Sequence, residues 1–375
     1  MKTKTILFIC ILSLCLTDLQ AQWTNKTMIS GGLTRSYRLY VSPNYNPVNP
    51  ASLVVTLHGL GDNMTNFSNL GFAQIGDTAN IIVICPQAVT DPFAGTAWNS
   101  GAGYMGYFPN ASVNDIGFIN ALVDSTMDQY AVNPKRVYLC GFSMGGFMTQ
   151  RMALQSNTRF AAFASLSGTI GAAITPDNPS RLIPMAHWHG TADGTIAFTG
   201  NTYGIDPDSL ISLWITYNNC NPVPDTSIYP DNNPGDSILV TQYRFSGPGD
   251  DARVYFYVMD GAGHTVLFPP ANDINQTREV WLFFRQFEWA EAGIAAKNEN
   301  LPWFSVYPNP AGDFVTLTSE RGRQADILDI SGKVLWSKTG LQGSEILDLS
   351  AFSPGLYLIR LSGESGSAVQ KLIIQ

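Results

Sequence analysis

Gly141-Phe142-Ser143-Met144-Gly145 constrains this chain more than any other stretch, because the sequence changes its period on either side of it. Upstream, Lys135–Cys140 follows the turn pair Asn133-Pro134 and carries the apolar run Val137-Tyr138-Leu139-Cys140, which predicts a short buried strand. Downstream, Gly146–Leu154 has apolar residues at helical spacing. G-x-S-x-G alone is common by chance. Between a strand and a helix it marks a turn so sharp that the flanking glycines are needed, and that turn lifts the serine hydroxyl clear of the sheet. Ser143 is therefore a candidate nucleophile.

A serine hydroxyl attacks only when a base takes its proton. His264 lies in the Gly-rich segment Gly261-Ala262-Gly263-His264, just after the strand-like run Val254–Val258. A base of this kind needs a carboxylate to hold its tautomer and stabilise its cation. Asp193 is the candidate, since Pro184–Gly190 reads as a strand that opens into the loop carrying it. Asp206, Asp208 and the Asp250-Asp251 pair are competitors in Pro/Gly-rich loops, while Asp260, four residues before His264, is expected to close its own loop. A second strand-like run, Leu53–Leu57, ends in His58-Gly59. The loop after it and the residue after the nucleophile are the places to look for two amides that bind an oxyanion, namely those of Leu60 and Met144. His58 is expected to orient that loop beside the substrate. His187 and His189 flank Trp188 and suggest a local hydrogen bond. Around these positions Trp98, Asn99, Tyr104, Tyr107, Phe108 and Trp188 suggest a substrate surface, with Gly95–Gly106 as a mobile binding loop and Trp98 as a stacking platform.

Composition limits the setting. The chain is 45% apolar and 13% charged, ample for a large core, and 375 residues imply two or three domains. Met1-Lys2-Thr3-Lys4, the apolar run Ile6–Leu16 and Leu19-Gln20-Ala21 have the three regions of a signal peptide, so residues 1–21 are expected to be removed. The apolar run is too short for a membrane span, and no other stretch reads as one. Leu14 before Cys15 departs from the lipoprotein pattern. Loss of Lys2, Lys4 and Asp18 would take the formal charge from −8 to −9. An acidic surface argues against nucleic acid as a partner. Cys85, Cys140 and Cys220 remain, an odd number that allows at most one disulfide. No metal-ligand cluster, phosphate loop or dinucleotide fingerprint is evident, so no cofactor is expected.

From Leu53 to about Ala290 the chain resembles the esterase family of polyhydroxybutyrate depolymerases and of the feruloyl and acetylxylan esterases in carbohydrate esterase family one. The resemblance rests on Leu57-His58-Gly59, Trp98-Asn99, Val113–Ile119, Asn133–Tyr138, Gly141–Gly146, His189–Asp193 and Gly261–His264. It implies an α/β-hydrolase, a mostly parallel sheet with helices on both faces, and a triad at Ser143, Asp193 and His264. It also implies an ester substrate, either a plant polysaccharide ester or a polyester. The chain departs from the family at Thr265-Val266, where many relatives have Trp-Pro, and at Cys220, which has no evident later partner. A serine peptidase of the same fold and a non-catalytic surface adhesin are the competing readings.

Composition shifts again after the helix-like Arg278–Ala292. Residues 293–303 read as a polar linker, and 304–375 as a small all-β sandwich of strands near Asp313–Thr318, Ala325–Asp329, Lys333–Ser337, Glu345–Leu349, Gly355–Leu361 and Ala368–Ile374. Tyr307-Pro308-Asn309-Pro310, Asp329–Lys333, Pro354–Leu358 and Lys371–Ile374 resemble the C-terminal sorting domain of type IX secretion substrates. That likeness implies export to the cell surface or medium, with the type IX machinery as partner and residues 22–292 as the esterase domain. A carbohydrate-binding sandwich is the alternative, but Trp336 and Tyr357 offer few exposed rings for it.

Overall fold

The computed structural model describes residues 23–375 except 77, 177–178, 180, 248–252, 290–303, 320–323, 330–332, 342 and 364–365. The expected signal peptide 1–21, the linker 293–303 and the Asp250-Asp251 pair lie outside the described residues. The chain divides into two compact units, Met1–Glu291 and Ala292–Gln375.

In the first unit strands and helices alternate: β1 (Thr24–Ser30), β2 (Leu33–Val41), β3 (Ala51–Leu57), α1 (Met64–Phe67), α2 (Phe72–Gly76), β4 (Ile81–Pro86), β5 (Val89–Asp91), β6 (Gly95–Ala97), α3 (Asp115–Gln129), β7 (Val132–Phe142), α4 (Met144–Gln155), β8 (Ala162–Leu166), β9 (Met185–Gly190), α5 (Pro207–Tyr217), β10 (Asp225–Ile228), β11 (Leu239–Ser246), β12 (Arg253–Asp260) and α6 (Gln276–Phe284). Ten of these strands form one sheet in the order β1-β2-β4-β3-β7-β8-β9-β12-β11-β10. From β4 to β12 every neighbouring pair is parallel, and an antiparallel ribbon closes each edge.

Burial on both faces explains the near-continuous apolar strands. Leu53, Val55 and Leu57 of β3 enter one core with Trp98, Phe118 and Trp214, whereas Val54 enters the other with Trp188, Tyr257 and Phe284. Asn114 caps α3 by accepting from the Gly117 amide at 2.9 Å, and Asn275 caps α6 through the Arg278 amide at 2.9 Å. The last helix thus starts two residues before the expected Arg278 and ends at Phe284, short of the expected Ala292. Val132 pairs with Ala51 and Val137 with Leu53, so the Asn133-Pro134 turn is an irregularity inside the β7 pairing.

The second unit has two antiparallel sheets. One is β13 (Phe304–Tyr307), β14 (Phe314–Ser319) and β17 (Gly343–Asp348); the other is β16 (Val334–Thr339), β15 (Gln324–Leu328), β18 (Gly355–Gly363) and β19 (Gly366–Ile374). Val315, Leu317, Ile327, Ile359, Leu361 and Leu372 fill a single core, which makes the unit a small sandwich. Its first strand, Phe304–Tyr307, was not among the expected ones.

Candidate active site

β7 delivers Ser143 to the start of α4, where its backbone has φ +55° and ψ −121°. That left-handed conformation falls on the serine itself and not on either flanking glycine. The glycines serve a different need. A Cβ at Gly141 would run into the backbone of Gly145, and one at Gly145 into the carbonyls of Leu57 and His58. Close backbone approach, rather than glycine torsions, requires the G-x-S-x-G pattern here. The Ser143 amide donates to the Leu166 carbonyl at 2.8 Å, which ties the strained turn to β8.

Ser143, His264 and Asp193 meet although they are far apart in sequence. His264 Nε2 lies 2.9 Å from Ser143 Oγ, and His264 Nδ1 lies 2.7 Å from Asp193 Oδ2. A carboxylate can only accept, so Nδ1 carries the proton and Nε2 is left free to accept from the serine. Asp193 is buried, and its other oxygen accepts the amides of Thr195 at 2.9 Å and Ile196 at 2.8 Å. Burial pushes its carboxyl up, but hydrogen bonds from His264 and these amides outweigh that and hold it below the usual carboxylate value. The Phe142 ring lies 4.8 Å from that of His264 and shields one side of the imidazole.

The described competitors occupy other places in the fold. Asp206 caps α5 by accepting from the Ser209 amide at 2.8 Å, with Pro207 at the first helical position. Asp208 sits in the first turn of that helix. Asp260 accepts from Thr191 Oγ1 at 2.7 Å and so joins the loop before His264 to the loop before Asp193.

Gly59 brings the loop after β3 against Ser143: a Cβ there would sit 3.3 Å from the serine's own. Leu60 follows it, and Met144 opens α4, where its amide has no intrahelical acceptor. His58 is fully buried. Its Nδ1 donates to the Gly59 carbonyl at 2.7 Å, and its Nε2 accepts from the Ala88 amide and the Gln87 side chain, each at 3.1 Å. Burial lowers its pKa, and both ring nitrogens are committed to the protein, so His58 braces the loop from within and has no exposed face of its own.

The aromatic expectations need correction. Trp98 is 0% exposed and donates its indole N–H to the His58 carbonyl at 2.9 Å, so it braces the Gly59–Leu60 loop from below and offers no stacking face. Trp188 is also 0% exposed and stacks on Tyr257 at 4.3 Å within the core. Asn99 is a bracket: its amide donates to Asp115 Oδ2 at 2.7 Å, its side chain donates to the Ala111 and Val113 carbonyls, and it accepts from Arg151. Asp115 in turn holds buried Arg35 at 2.7 Å. Nor is Gly95–Gly106 a loose loop, since Tyr104 and Tyr107 bridge each other and the Gly101 carbonyl accepts from Ala173.

His187 and His189 also do more than expected. His189 Nε2 lies 2.7 Å from the Ile196 carbonyl and 3.6 Å from Asp193 Oδ2, while its Nδ1 lies 3.1 Å from His187 Nε2. The carbonyl must be given a proton, so neutral His189 carries hydrogen on Nε2 and accepts from His187. The pair fastens the loop that presents Asp193. No sequence signal beyond the alternation of the two histidines marks this role. Among the described residues no group of three or more His, Cys, Asp or Glu side chains is arranged to hold a metal ion. No described helix is long and apolar enough to cross a membrane.

Residues 45–202 match the phospholipase/carboxylesterase family, a span that includes Ser143 and Asp193 but stops short of His264. Residues 305–375 match the secretion system C-terminal sorting domain. A bifunctional acetylxylan esterase/xylanase of Neocallimastix patriciarum is 26% identical over 286 residues, covering 75% of this chain and 37% of that protein. A poly(3-hydroxybutyrate) depolymerase of Ralstonia pickettii is 27% identical over 158 residues, 40% of this chain and 32% of its own length. Feruloyl esterase D of Neurospora crassa is 24% identical over 272 residues, 68% of this chain and 83% of its own. The chain spans between about a third and a half of the first curated relatives it matches. The first unit thus carries a match to the phospholipase/carboxylesterase family over residues 45–202, and the second a match to the secretion system C-terminal sorting domain over residues 305–375.

Proposed function

We propose that the protein is an exported serine carboxylic-ester hydrolase acting on acyl esters of plant polysaccharide or on polyhydroxyalkanoate-type polyesters. The observation that carries this reading is the hydrogen-bonded series Ser143 Oγ, His264 Nε2, His264 Nδ1, Asp193 Oδ2, at 2.9 and 2.7 Å. The names of the relatives supply the ester classes, and the sorting domain supports export. Removal of residues 1–21 and passage through the type IX machinery complete the route.

In this scheme Ser143 Oγ attacks the ester carbonyl while His264 Nε2 takes its proton, and Asp193 stabilises the imidazolium. The amides of Leu60 and Met144 receive the oxyanion. The tetrahedral intermediate collapses as His264 returns the proton to the departing alcohol. Water, activated by the same imidazole, then cleaves the acyl-Ser143 ester and restores the serine. Full-length mature protein should hydrolyse p-nitrophenyl acetate, and a panel of methyl ferulate, acetylated xylan and hydroxybutyrate oligomers should rank the substrates. Ser143→Ala should lower turnover on the order of 10⁴-fold or more and abolish fluorophosphonate labelling. Near-unchanged hydrolysis by that variant refutes the proposal.

A further inference from the structure

The loop that borders the oxyanion side of the site carries an unusual surface. Phe93 and Met105 are each 85% exposed, and Phe108 is 42% exposed. They belong to one patch. The Phe93 ring lies 6.2 Å from that of Tyr107, which lies 6.1 Å from Tyr104, and Met105 tops the tight turn between those tyrosines. Phe108 packs alongside Gly103, where a Cβ would be 3.8 Å from its ring.

The patch is held rigidly, so its exposure is a property of the fold. Asp91 Oδ1 accepts the amides of Phe93 at 2.9 Å and Ala94 at 3.0 Å and the Tyr107 hydroxyl at 2.9 Å, while Oδ2 accepts the Asn110 amide at 3.0 Å. The Asn110 side chain ties Val89 and Ala97 together. Met105 has φ +47°, a conformation that favours glycine, so neither burial nor backbone preference calls for methionine there. The patch also adjoins the nucleophile. The Gly61 amide donates to the Thr96 carbonyl at 2.8 Å, and Thr96 Oγ1 donates to the Asp62 carbonyl. These bonds sew the β5–β6 hairpin to the same loop that sets Gly59 against Ser143.

From this arrangement we propose that Phe93, Met105, Tyr107 and Phe108 form an adsorption surface for the face of a water-insoluble, uncharged polyester, which lays the polymer across the mouth of the site. The inference rests on the ester-hydrolase reading above and narrows its substrate. Side chains 85% exposed protrude and cannot wall a pocket around one small acyl group, so their partner is a broad surface. That surface is apolar: the Tyr107 hydroxyl is consumed by Asp91, and Phe93 and Met105 have no group to pair with sugar hydroxyls. It is uncharged as well, because no Lys or Arg occurs between Val89 and Val113 to attract lipid phosphates or uronate carboxylates.

Adsorption is measured with full-length Ser143→Ala protein on polyhydroxybutyrate powder, so that binding is read without turnover. Adding Phe93→Ser and Met105→Ser should weaken adsorption about tenfold, as two large apolar contacts are lost. With Ser143 intact, the same pair should leave kcat/KM for p-nitrophenyl acetate within about twofold and slow polyester hydrolysis in proportion to adsorption. Undiminished adsorption overturns the proposal. So does a loss confined to insoluble acetylated xylan, which would make the patch a polysaccharide platform, or an equal loss on the soluble ester.

Discussion

Asp193→Asn isolates the electrostatic role of the carboxylate from its structural one, because the surroundings dictate how an asparagine must sit. Two backbone donors, the amides of Thr195 and Ile196, point at Oδ1 at 2.9 and 2.8 Å. An asparagine that turned its NH₂ toward them would set donors against donors and leave buried groups unsatisfied, at about 1–3 kcal/mol for each. Its carbonyl oxygen therefore stays there, and its NH₂ takes the place of Oδ2, 2.7 Å from His264 Nδ1. A donor in that position forces Nδ1 to accept. The ring hydrogen moves to Nε2, the nitrogen 2.9 Å from Ser143 Oγ, and the base is lost. The expected fall in kcat is about 10⁴-fold, equivalent to about 5.4 kcal/mol of transition-state stabilisation. Stability should barely change, since both Oδ1 hydrogen bonds survive. Paired measurements of p-nitrophenyl acetate turnover and thermal unfolding test this. Turnover within tenfold of the parent, with the fold intact, would refute the tautomer argument and the assignment of Asp193 as the acid.

Trp98→Ala should destabilise the first unit by about 3–5 kcal/mol and lower kcat for all esters alike, because a core indole and its bond to His58 are lost; a selective rise in KM for methyl ferulate would restore Trp98 as a substrate platform. His189→Ala should lower kcat about tenfold with little change in KM, since the hydrogen bond that holds Ile196 beside Asp193 is removed. His189→Gln, which keeps a donor, should recover part of the loss, and an equal deficit in both variants would mean that the residue only packs. A chain ending at Glu291 should fold and keep its soluble-ester activity, yet accumulate in the periplasm of the native host; extracellular appearance without the tail would contradict the sorting role.

What could be read from sequence depended on whether a residue's partners lie nearby along the chain. Ser143, Asp193 and His264 each follow a strand-like run and enter a glycine-containing segment, so local pattern alone nominated them, and the sheet order β7-β8-β9-β12 carries their three loops to one edge. Asp206 has a local signature too: Asp-Pro-Asp-Ser fits a helix cap followed by proline at the first turn, and the structure puts it to that use. Trp98 had no such signature. An aromatic in a Gly-rich segment looks the same whether it faces out or in, and what turned it inward is the His58 carbonyl, 40 residues away. The glycines of the elbow show the same limit in reverse. Their pattern was legible, but the reason for it is the approach of Gly145 to the end of β3, a contact between the first turn of α4 and a strand that no local torsion preference encodes. Phe93 and Met105 mark the far end of this scale. Nothing in Pro92-Phe93-Ala94 or Tyr104-Met105-Gly106 distinguishes a buried apolar side chain from a displayed one, and only the clamp built around Asp91 determines that both point to solvent. Residues whose burial is decided by distant carboxylates and carbonyls are thus where a sequence reading errs, and in this protein they surround the loop that sets Gly59 against Ser143.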